Sequence, residues 1–174
     1  MKKYKKVAVY AGSFDPVTNG HLDILERSKK LFDKVICTVG INSGKNPIFT
    51  LEEKLDMLYH TVPKGVEVGC FDGLLVDYAK KMKKTYNAEQ MVIVRGLRLT
   101  TDFEYEYKIF FNNTKLAESI ETIFLPSRQG LLHINSSIVR DVSEMNPRYI
   151  KDLDVPDYVK QKLKEKYQKN KKTN

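Results

Sequence analysis

Five short apolar runs recur along the chain, and each is separated from the next by a segment long enough for a helix. Several of them are rich in β-branched residues, which favour strands. The runs are Val7 to Tyr10, Val35 to Val39, Val66 to Cys70, Met91 to Val94 and Thr122 to Leu125. Strands that alternate with helices form βαβ units, in which the strands are parallel. The pattern therefore predicts a five-stranded parallel sheet whose ligands bind at the carboxyl ends of the strands.

Capping residues and prolines mark the predicted helix boundaries. Thr50 and Glu53 have the spacing of a capping box, which predicts a helix that continues through Leu58. The other predicted caps are Thr101 or Asp102 before Phe103 to Leu116, and Asn135, Ser136 or Ser137 before Ile138 to Met145. Pro147 ends the later of these helices, and Pro156 opens a C-terminal helix.

These elements predict a single α/β domain, Rossmann-like and doubly wound, over residues 1–167. Residues 168–174 are predicted to form a basic, disordered tail. The segment Lys83 to Gln90 is predicted to be a surface loop. A chain of 174 residues is long enough to bury a core of its own, and no shift in composition marks a second domain.

The net charge of +8 is concentrated at the end of the chain. Residues 160–174 carry seven lysines against Glu165 alone, so they contribute +6 and leave +2 for all the residues before them. A charge run at a terminus is usually solvated, and a nucleic-acid partner is not expected. No apolar run approaches the length of a membrane span, and the lysine-rich start lacks a signal-peptide pattern, so a cytoplasmic location without membrane contact is expected.

Cysteine and histidine do not form a metal-binding pattern in this sequence. Cys37 and Cys70 lie in or at the end of apolar runs and are expected to be buried free thiols. The three histidines, His21, His60 and His133, have no ligand-like spacing. A metal ion held by protein side chains is therefore not expected.

The most informative segment is Gly12 to His21, which follows the first apolar run and precedes an amphipathic stretch. A strand, a glycine-bearing turn and a helix start in this order aim backbone N–H groups and the positive end of the helix dipole at one position beyond the strand. That position favours an anion, and the His21 imidazole can donate to a phosphate oxygen there. Gly12 and Gly20 let the backbone approach such a ligand.

Three further segments bring cations or hydroxyls to the same edge of the predicted sheet. The loop after the second strand carries Lys45, and the fourth strand ends in Arg95 and Arg98 around Gly96. The residues before the predicted helix at Ile138 are small and polar. Arginine forks and N–H groups at a helix start both suit phosphate oxygens. Taken singly, each segment also has an ordinary reading, as a solvated lysine, a surface arginine pair or a helix cap.

Two levels of resemblance follow from these segments. Thr18-Asn19-Gly20-His21 resembles the T/HxGH motif of the nucleotidyltransferase superfamily, and the Gly-Ser-Phe-Asp-Pro before it is similar to that of the small bacterial adenylyltransferases. Over residues 7–142, and jointly in blocks 49–53, 73–78, 95–98 and 102–106, the chain resembles the phosphopantetheine adenylyltransferase family. The resemblance implies that AMP is transferred from ATP to 4′-phosphopantetheine, which gives dephospho-coenzyme A and pyrophosphate.

The resemblance also implies a role for each matching residue. His21 is the catalytic residue that stabilises the transition state, and Ser13 lies beside both substrates. Lys45, Leu75 and Arg95, with Ser13, are the implied phosphopantetheine-binding residues. The implied ATP-binding residues are Ser13, Phe14, His21, Gly96, Leu97, Arg98, Glu106, Leu131, Leu132, His133, Ile134, Asn135, Ser136 and Ser137.

Mg²⁺ bound with ATP, a homohexamer and feedback inhibition by coenzyme A are further implications of the resemblance. The chain departs from the family pattern at residues 132–135, where Leu-His-Ile-Asn replaces an aromatic and serine-rich sequence, and the nucleotide contacts there stay open. Another acceptor, such as nicotinate mononucleotide, is one alternative, against which Leu75 and Lys45 argue. An RNA-binding module is another, suggested by a tetrapeptide at residues 81–84 that is similar to the lysine loop of class I tRNA synthetases but lies mid-chain.

Overall fold

The computed structural model describes residues 3–41 and 46–170, with side chains through residue 167. Its five strands form one parallel sheet in the order β3-β2-β1-β4-β5, as the apolar runs predict. The strands are β1 (Tyr4–Gly12), β2 (Lys34–Ile41), β3 (Glu67–Asp72), β4 (Ala88–Leu97) and β5 (Glu121–Pro126). The helices are α1 (Asn19–Leu31), α2 (Leu51–Thr61), α3 (Leu75–Thr85), α4 (Thr100–Leu116), α5 (Ser136–Met145) and α6 (Asp157–Asn170), with short 3-10 helices at Gln129–Leu131 and Pro147–Asp152.

Side chains on the central strands alternate between two hydrophobic cores, one on each face of the sheet. On β1, Ala8 and Tyr10 point into the core that α1, α2, α5 and α6 cover, whereas Val7 and Val9 point into the core beneath α3. Both faces are covered, which is why the runs read as continuously apolar rather than as alternating. The predicted doubly wound α/β domain is therefore confirmed.

The order of the strands creates a crevice beside β1. The chain leaves β1 towards β2 and β3, then crosses back to place β4 and β5 on the other side of β1. Connections that depart in opposite directions from adjacent strands leave a gap at their carboxyl ends, where open α/β sheets bind ligands. The segments predicted to bind phosphate follow β1, β2 and β4, so the topology brings them to one edge.

Two of the predicted caps are present and one is wrong. Thr50 and Glu53 form the expected capping box, and the Asn135 side chain accepts from the backbone N–H of Ile138. Helix α4, however, begins at Thr100 rather than after Thr101 or Asp102. The Asp102 carboxylate instead turns back and accepts from the N–H groups of the residues at positions 98 and 99. An acidic side chain in the first turn of a helix caps it from inside the helix.

Two other expectations are also wrong. The segment Lys83 to Gln90 is not a surface loop, because α3 continues to Thr85 and β4 begins at Ala88, which leaves only a short turn between them. Cys37 is buried as expected, but Cys70 is exposed on β3, an edge strand that is only partly covered.

The C-terminal helix α6 is part of the core. Val159 and Leu163 are fully buried against the cluster beneath α1 and α2, and charged pairs fix the surrounding surface to α2. Lys162 Nζ lies 2.9 Å from a carboxylate oxygen of Asp56, and Lys166 Nζ lies 3.1 Å from one of Glu53. The helix includes residues 168–170, so the tail predicted from residue 168 begins inside a helix, and residues 171–174 lie outside the described part of the chain.

None of the helices in the described ranges has the length and apolar character that crossing a bilayer requires.

We expect Leu163→Ala to lower the free energy of unfolding by about 2 to 5 kcal/mol, because it leaves a cavity in the core between α6 and the sheet. Denaturant-induced unfolding measures the change. The control is Lys164→Ala on the exposed side of the same helix, which should stay within about 0.5 kcal/mol of the parent protein. Equal effects of the two substitutions would mean that α6 is not packed as described.

Candidate active site

A cavity of about 740 Å³ opens at the carboxyl ends of β1, β2 and β4. It brings together most of the residues that the sequence assigns to substrate binding. The predicted site residues that line it are Ser13, His21, Arg95, Gly96, Arg98, Glu106, Ile134, Asn135, Ser136 and Ser137. Residues from both proposed substrate sets therefore share one cavity, although they are separated by up to 124 positions in the sequence.

The remaining predicted residues lie elsewhere. Leu75 begins α3, packs against the core beneath α3 and does not line the cavity. His133 is exposed, and its Nε2 lies 3.0 Å from Asp154 Oδ2. Phe14 is buried behind the cavity wall. Leu97, Leu131 and Leu132 are not among the residues that line the cavity, and Lys45 lies outside the described residues.

His21 is held by the cap of its own helix. Thr18 is the N-cap of α1, and its backbone N–H donates to His21 Nδ1 at 3.0 Å, while the His21 N–H points back to Thr18 Oγ1 at 3.5 Å. This is a capping box in which an imidazole takes the place of the usual Glu or Gln. Because Nδ1 accepts from an amide, the ring proton of the neutral imidazole is assigned to Nε2. Nε2 has no partner among the described residues and is available as a donor to a ligand.

The surroundings of His21 keep the ring neutral. The Phe14 ring meets the imidazole edge-on with centroids 5.1 Å apart, and Tyr10 packs against both rings. Burial lowers the pKa of His21 to about 4, with a further contribution from the positive charges of Arg98 and Arg95. At neutral pH the residue therefore offers a hydrogen bond without a full positive charge.

The glycines of the site differ in what a side chain at each position would contact. A Cβ on Gly12 would lie 3.0 Å from the Phe14 ring, and one on Gly96 would lie 3.2 Å from a side-chain carbon of Ile24. Packing of the protein itself accounts for both. A Cβ on Gly20 would meet nothing closer than Thr18 Oγ1 at 3.6 Å, an ordinary contact, and Gly20 lines the cavity. Gly20 thus leaves open space on the cavity side of the helix start.

Both predicted arginines are already paired with carboxylates. Arg95 donates from Nε and Nη2 to the two oxygens of Glu106, each at 2.6 Å, and from Nη1 to the Ala11 carbonyl at 2.7 Å. Arg98 makes a similar two-point contact with Asp102 at 3.0 and 3.1 Å and also donates to the carbonyl of Ile134. Two-point pairs of this kind fix the plane of each guanidinium before any ligand arrives.

Asp15 connects three parts of the site, and sequence reasoning missed it. The side chain is 8% exposed, and its two oxygens accept from the backbone N–H groups of Ile48 at 3.1 Å and Phe49 at 3.0 Å. Its own carbonyl accepts from Arg140 Nη1 at 2.7 Å, so the first loop is tied to α5 as well. Lys54 Nζ lies 3.8 Å from the carboxylate. These partners are 33 to 125 positions away, so no local pattern pointed to them.

The described residues hold no group of three or more His, Cys, Asp or Glu side chains that could bind a metal ion. The three carboxylates that line the cavity, Asp15, Asp102 and Glu106, each lie against a cationic side chain. A divalent cation would have to displace these contacts to reach the carboxylate oxygens. Among the described residues, four cationic side chains against three carboxylates line the cavity, a balance that favours an anion.

Comparison with known proteins agrees with this geometry. A family model described as cytidylyltransferase-like matches residues 9–142. A phosphopantetheine adenylyltransferase from Carboxydothermus hydrogenoformans is 48% identical over 166 residues, which covers 94% of this chain and 98% of that protein. Another with the same name, from Dictyoglomus turgidum, is 47% identical over 162 residues and covers 92% and 96%. A solved nicotinic acid mononucleotide adenylyltransferase of Plasmodium falciparum matches the fold with a TM-score of 0.64 at 16% identity, covering 94% and 96%.

The lowered pKa of His21 predicts a stability that depends on pH. The unfolded chain takes up the His21 proton near pH 6.5, whereas the folded protein does so only near pH 4, so stability falls as the pH drops through this interval. The loss is at most about 3 kcal/mol for a group of this kind. Unfolding of the parent protein and of His21→Gln should be compared from pH 7 to pH 4. Parallel curves for the two proteins would show that His21 is not held neutral by the fold.

Proposed function

This chain belongs to the phosphopantetheine adenylyltransferases within the cytidylyltransferase-like family, and on that premise we propose that it transfers AMP from ATP to 4′-phosphopantetheine in coenzyme A biosynthesis. The products are dephospho-coenzyme A and pyrophosphate. The observation that carries the proposal beyond kinship is the neutral His21 donor at the edge of a cavity lined with oriented arginines. Adenylyl transfer needs alignment and charge stabilisation more than covalent chemistry, and these features supply both.

In the proposed mechanism the acceptor's phosphate oxygen attacks the α-phosphorus of ATP, and the bond to pyrophosphate breaks. Negative charge increases on the non-bridging oxygens during this step. His21 Nε2–H donates to one of them, and the bond from the Thr18 amide keeps the ring in that orientation. A neutral donor also costs less to hold at the positive end of α1 than an imidazolium would.

The two substrates are proposed to occupy neighbouring parts of the cavity. Ser13, Arg95 and Lys45 are assigned to phosphopantetheine, with Leu75 as a contact for its arm. The Arg95 assignment is supported by its position in the cavity. The assignment of Leu75 depends on kinship alone, because the residue does not line the cavity.

ATP is proposed to lie along the cavity edge from β4 to the start of α5. Gly96, Arg98, Glu106 and Ser13 face this space with His21. The proposed set also includes Ile134, Asn135, Ser136 and Ser137 from the cavity wall, and Phe14, Leu97, Leu131, Leu132 and His133 from behind or beside it. The start of α5 supplies free N–H groups for phosphate oxygens. ATP is taken as its Mg²⁺ complex, whose metal is carried by the nucleotide, in agreement with the paired carboxylates of the cavity.

Three further features of the protein are proposed from the family. Coenzyme A contains the structure of the product, dephospho-coenzyme A. It is therefore expected to compete for the same cavity and to inhibit the enzyme. The reaction is placed in the cytoplasm, where ATP is available. The protein is expected to form a homohexamer, and helix α4 supports an interface between copies because none of its residues is buried. Its aromatic residues at positions 103, 107 and 111, which the helical spacing puts on one side of α4, are 40% to 58% exposed, which supports such a surface.

The direct test of the proposed function is pyrophosphate release from ATP and Mg²⁺ with different acceptors. Turnover should require 4′-phosphopantetheine and be weak with pantetheine or nicotinate mononucleotide. His21→Ala should lower kcat by about two orders of magnitude with little change in ATP affinity, because the donor acts mainly on transition-state charge. The control is His60→Ala on α2, outside the cavity. A preference for nicotinate mononucleotide would show that the proposed acceptor is wrong. Salt-sensitive RNA binding without turnover would show that the proposed function is wrong.

Assembly is tested by sedimentation velocity. Phe111→Glu places a charge on the exposed aromatic face of α4, where the parent side chain is 58% exposed, and should shift the hexamer to smaller species. Tyr59→Glu is the control, because Tyr59 is 65% exposed on α2 away from that face. If the hexamer persists with the Phe111 substitution but not with the Tyr59 substitution, the interface lies at α2 rather than at α4.

A further inference from the structure

The cations of the cavity are not all compensated to the same degree. Among the described residues, the lining contains four cationic side chains and three carboxylates. Arg95 and Arg98 each have a carboxylate of their own at hydrogen-bond distance. The excess positive charge therefore lies at Asp15, the one carboxylate that faces two cations: Lys54 at 3.8 Å from Oδ1 and Arg140 at 3.8 Å from Oδ2.

Of these two cations, Lys54 has fewer contacts. Arg140 donates to the Asp15 carbonyl at 2.7 Å and to Ser137 Oγ at 3.1 Å. The Lys54 ammonium makes no hydrogen bond to any residue in the described ranges, and its nearest carboxylate already accepts from the amides of Ile48 and Phe49.

Lys54 is nevertheless almost buried. It lies in the first turn of α2, its side chain is 9% exposed, and it lines the cavity. A buried ammonium without hydrogen bonds is unfavourable, and a cation at the start of a helix also opposes the helix dipole. The protein tolerates both costs at a position that opens onto the cavity. An anion in that cavity would remove both.

We propose that Lys54 is a phosphate-binding residue of this cavity and that Asp15 holds it in place. Which phosphate compound binds rests on the proposed function. That the ligand is an anion rests only on the contacts of Lys54. The phosphate can come from the nucleotide or from the acceptor, because Asp15 joins the loop at residues 46–49 to the start of α5 and Lys54 faces the space between them. Arg140 completes the pair of cations on the opposite carboxylate oxygen.

The test compares Lys54→Met and Lys54→Gln with Lys54→Arg, which keeps the charge. The control is Lys34→Met, since Lys34 is also partly buried but pairs with Glu67 at 3.0 Å near the far edge of the sheet. Calorimetry measures binding of inorganic pyrophosphate, ATP, 4′-phosphopantetheine and pantetheine to each protein. The Lys54→Met and Lys54→Gln proteins should bind pyrophosphate about ten- to a hundredfold more weakly, whereas the other two should stay within about threefold of the parent.

The other ligands identify the source of the phosphate. A loss confined to ATP assigns Lys54 to the nucleotide, and a loss for phosphopantetheine but not for pantetheine assigns it to the acceptor. Unchanged binding of all three phosphate ligands overturns the inference, as does an equal loss for pantetheine. Failure of the parent protein to turn over any acceptor would contradict the proposed function without touching this result, because pyrophosphate binding needs no acceptor.

Thermal unfolding separates binding from a structural role. Without ligand, Lys54→Met should melt no lower than Lys34→Met, because it removes an ammonium that lies 3.8 Å from Asp15 without a hydrogen bond, whereas the control breaks a closer ion pair of 3.0 Å. A large fall in the melting temperature of Lys54→Met, or failure of that protein to fold, would make Lys54 a structural partner of Asp15 and overturn the inference.

Discussion

The structure depends on one topological constraint, the parallel pairing of β1 with both β2 and β4. Parallel pairing places the carboxyl ends of all three strands at one edge, and the reversal of strand order at β1 keeps that edge open. The motif after β1, the loop after β2 and the arginines at the end of β4 meet there although they belong to separate segments of the chain. Helix α6 contributes Val159 and Leu163 to the core on one face of the same sheet.

Electrostatics then decides what the crevice can hold. Several cations in a half-buried cavity repel one another, and their repulsion is stronger there than in water. The carboxylates of Glu106, Asp102 and Asp15 relieve it, and each also fixes the direction of a cationic side chain. An anionic substrate thus finds donors already oriented, which reduces the entropy lost on binding. The same pairs mean that phosphate must share these cations with protein carboxylates rather than find them free.

The sequence predicts the fold better than it predicts the details of the site. Apolar runs and local caps depend on neighbours within a few residues, so the five strands and the Thr50 box are recoverable from the sequence. The predicted cap of α4 was wrong because Asp102 lies inside the helix. Its carboxylate accepts from the N–H groups of the residues just before the helix. The contacts of Asp15 and the pairing of Arg95 with Glu106 join segments that only the tertiary fold brings together. Leu75 matched its family motif, yet it packs against the core beneath α3 and does not line the cavity.

His21 is the exception, a functional detail that the sequence encodes locally. Thr18 and His21 are three positions apart, which is the spacing of the N-cap and the third helical residue. The spacing that places the imidazole at the helix start also supplies the amide that bonds to Nδ1, so position and tautomer are set by the same four residues. The helix dipole and burial both disfavour the protonated ring, and they act at the same point. A tetrapeptide motif can therefore orient the donor and set its tautomer, whereas the neutral state of the ring and the cations around it require the whole fold.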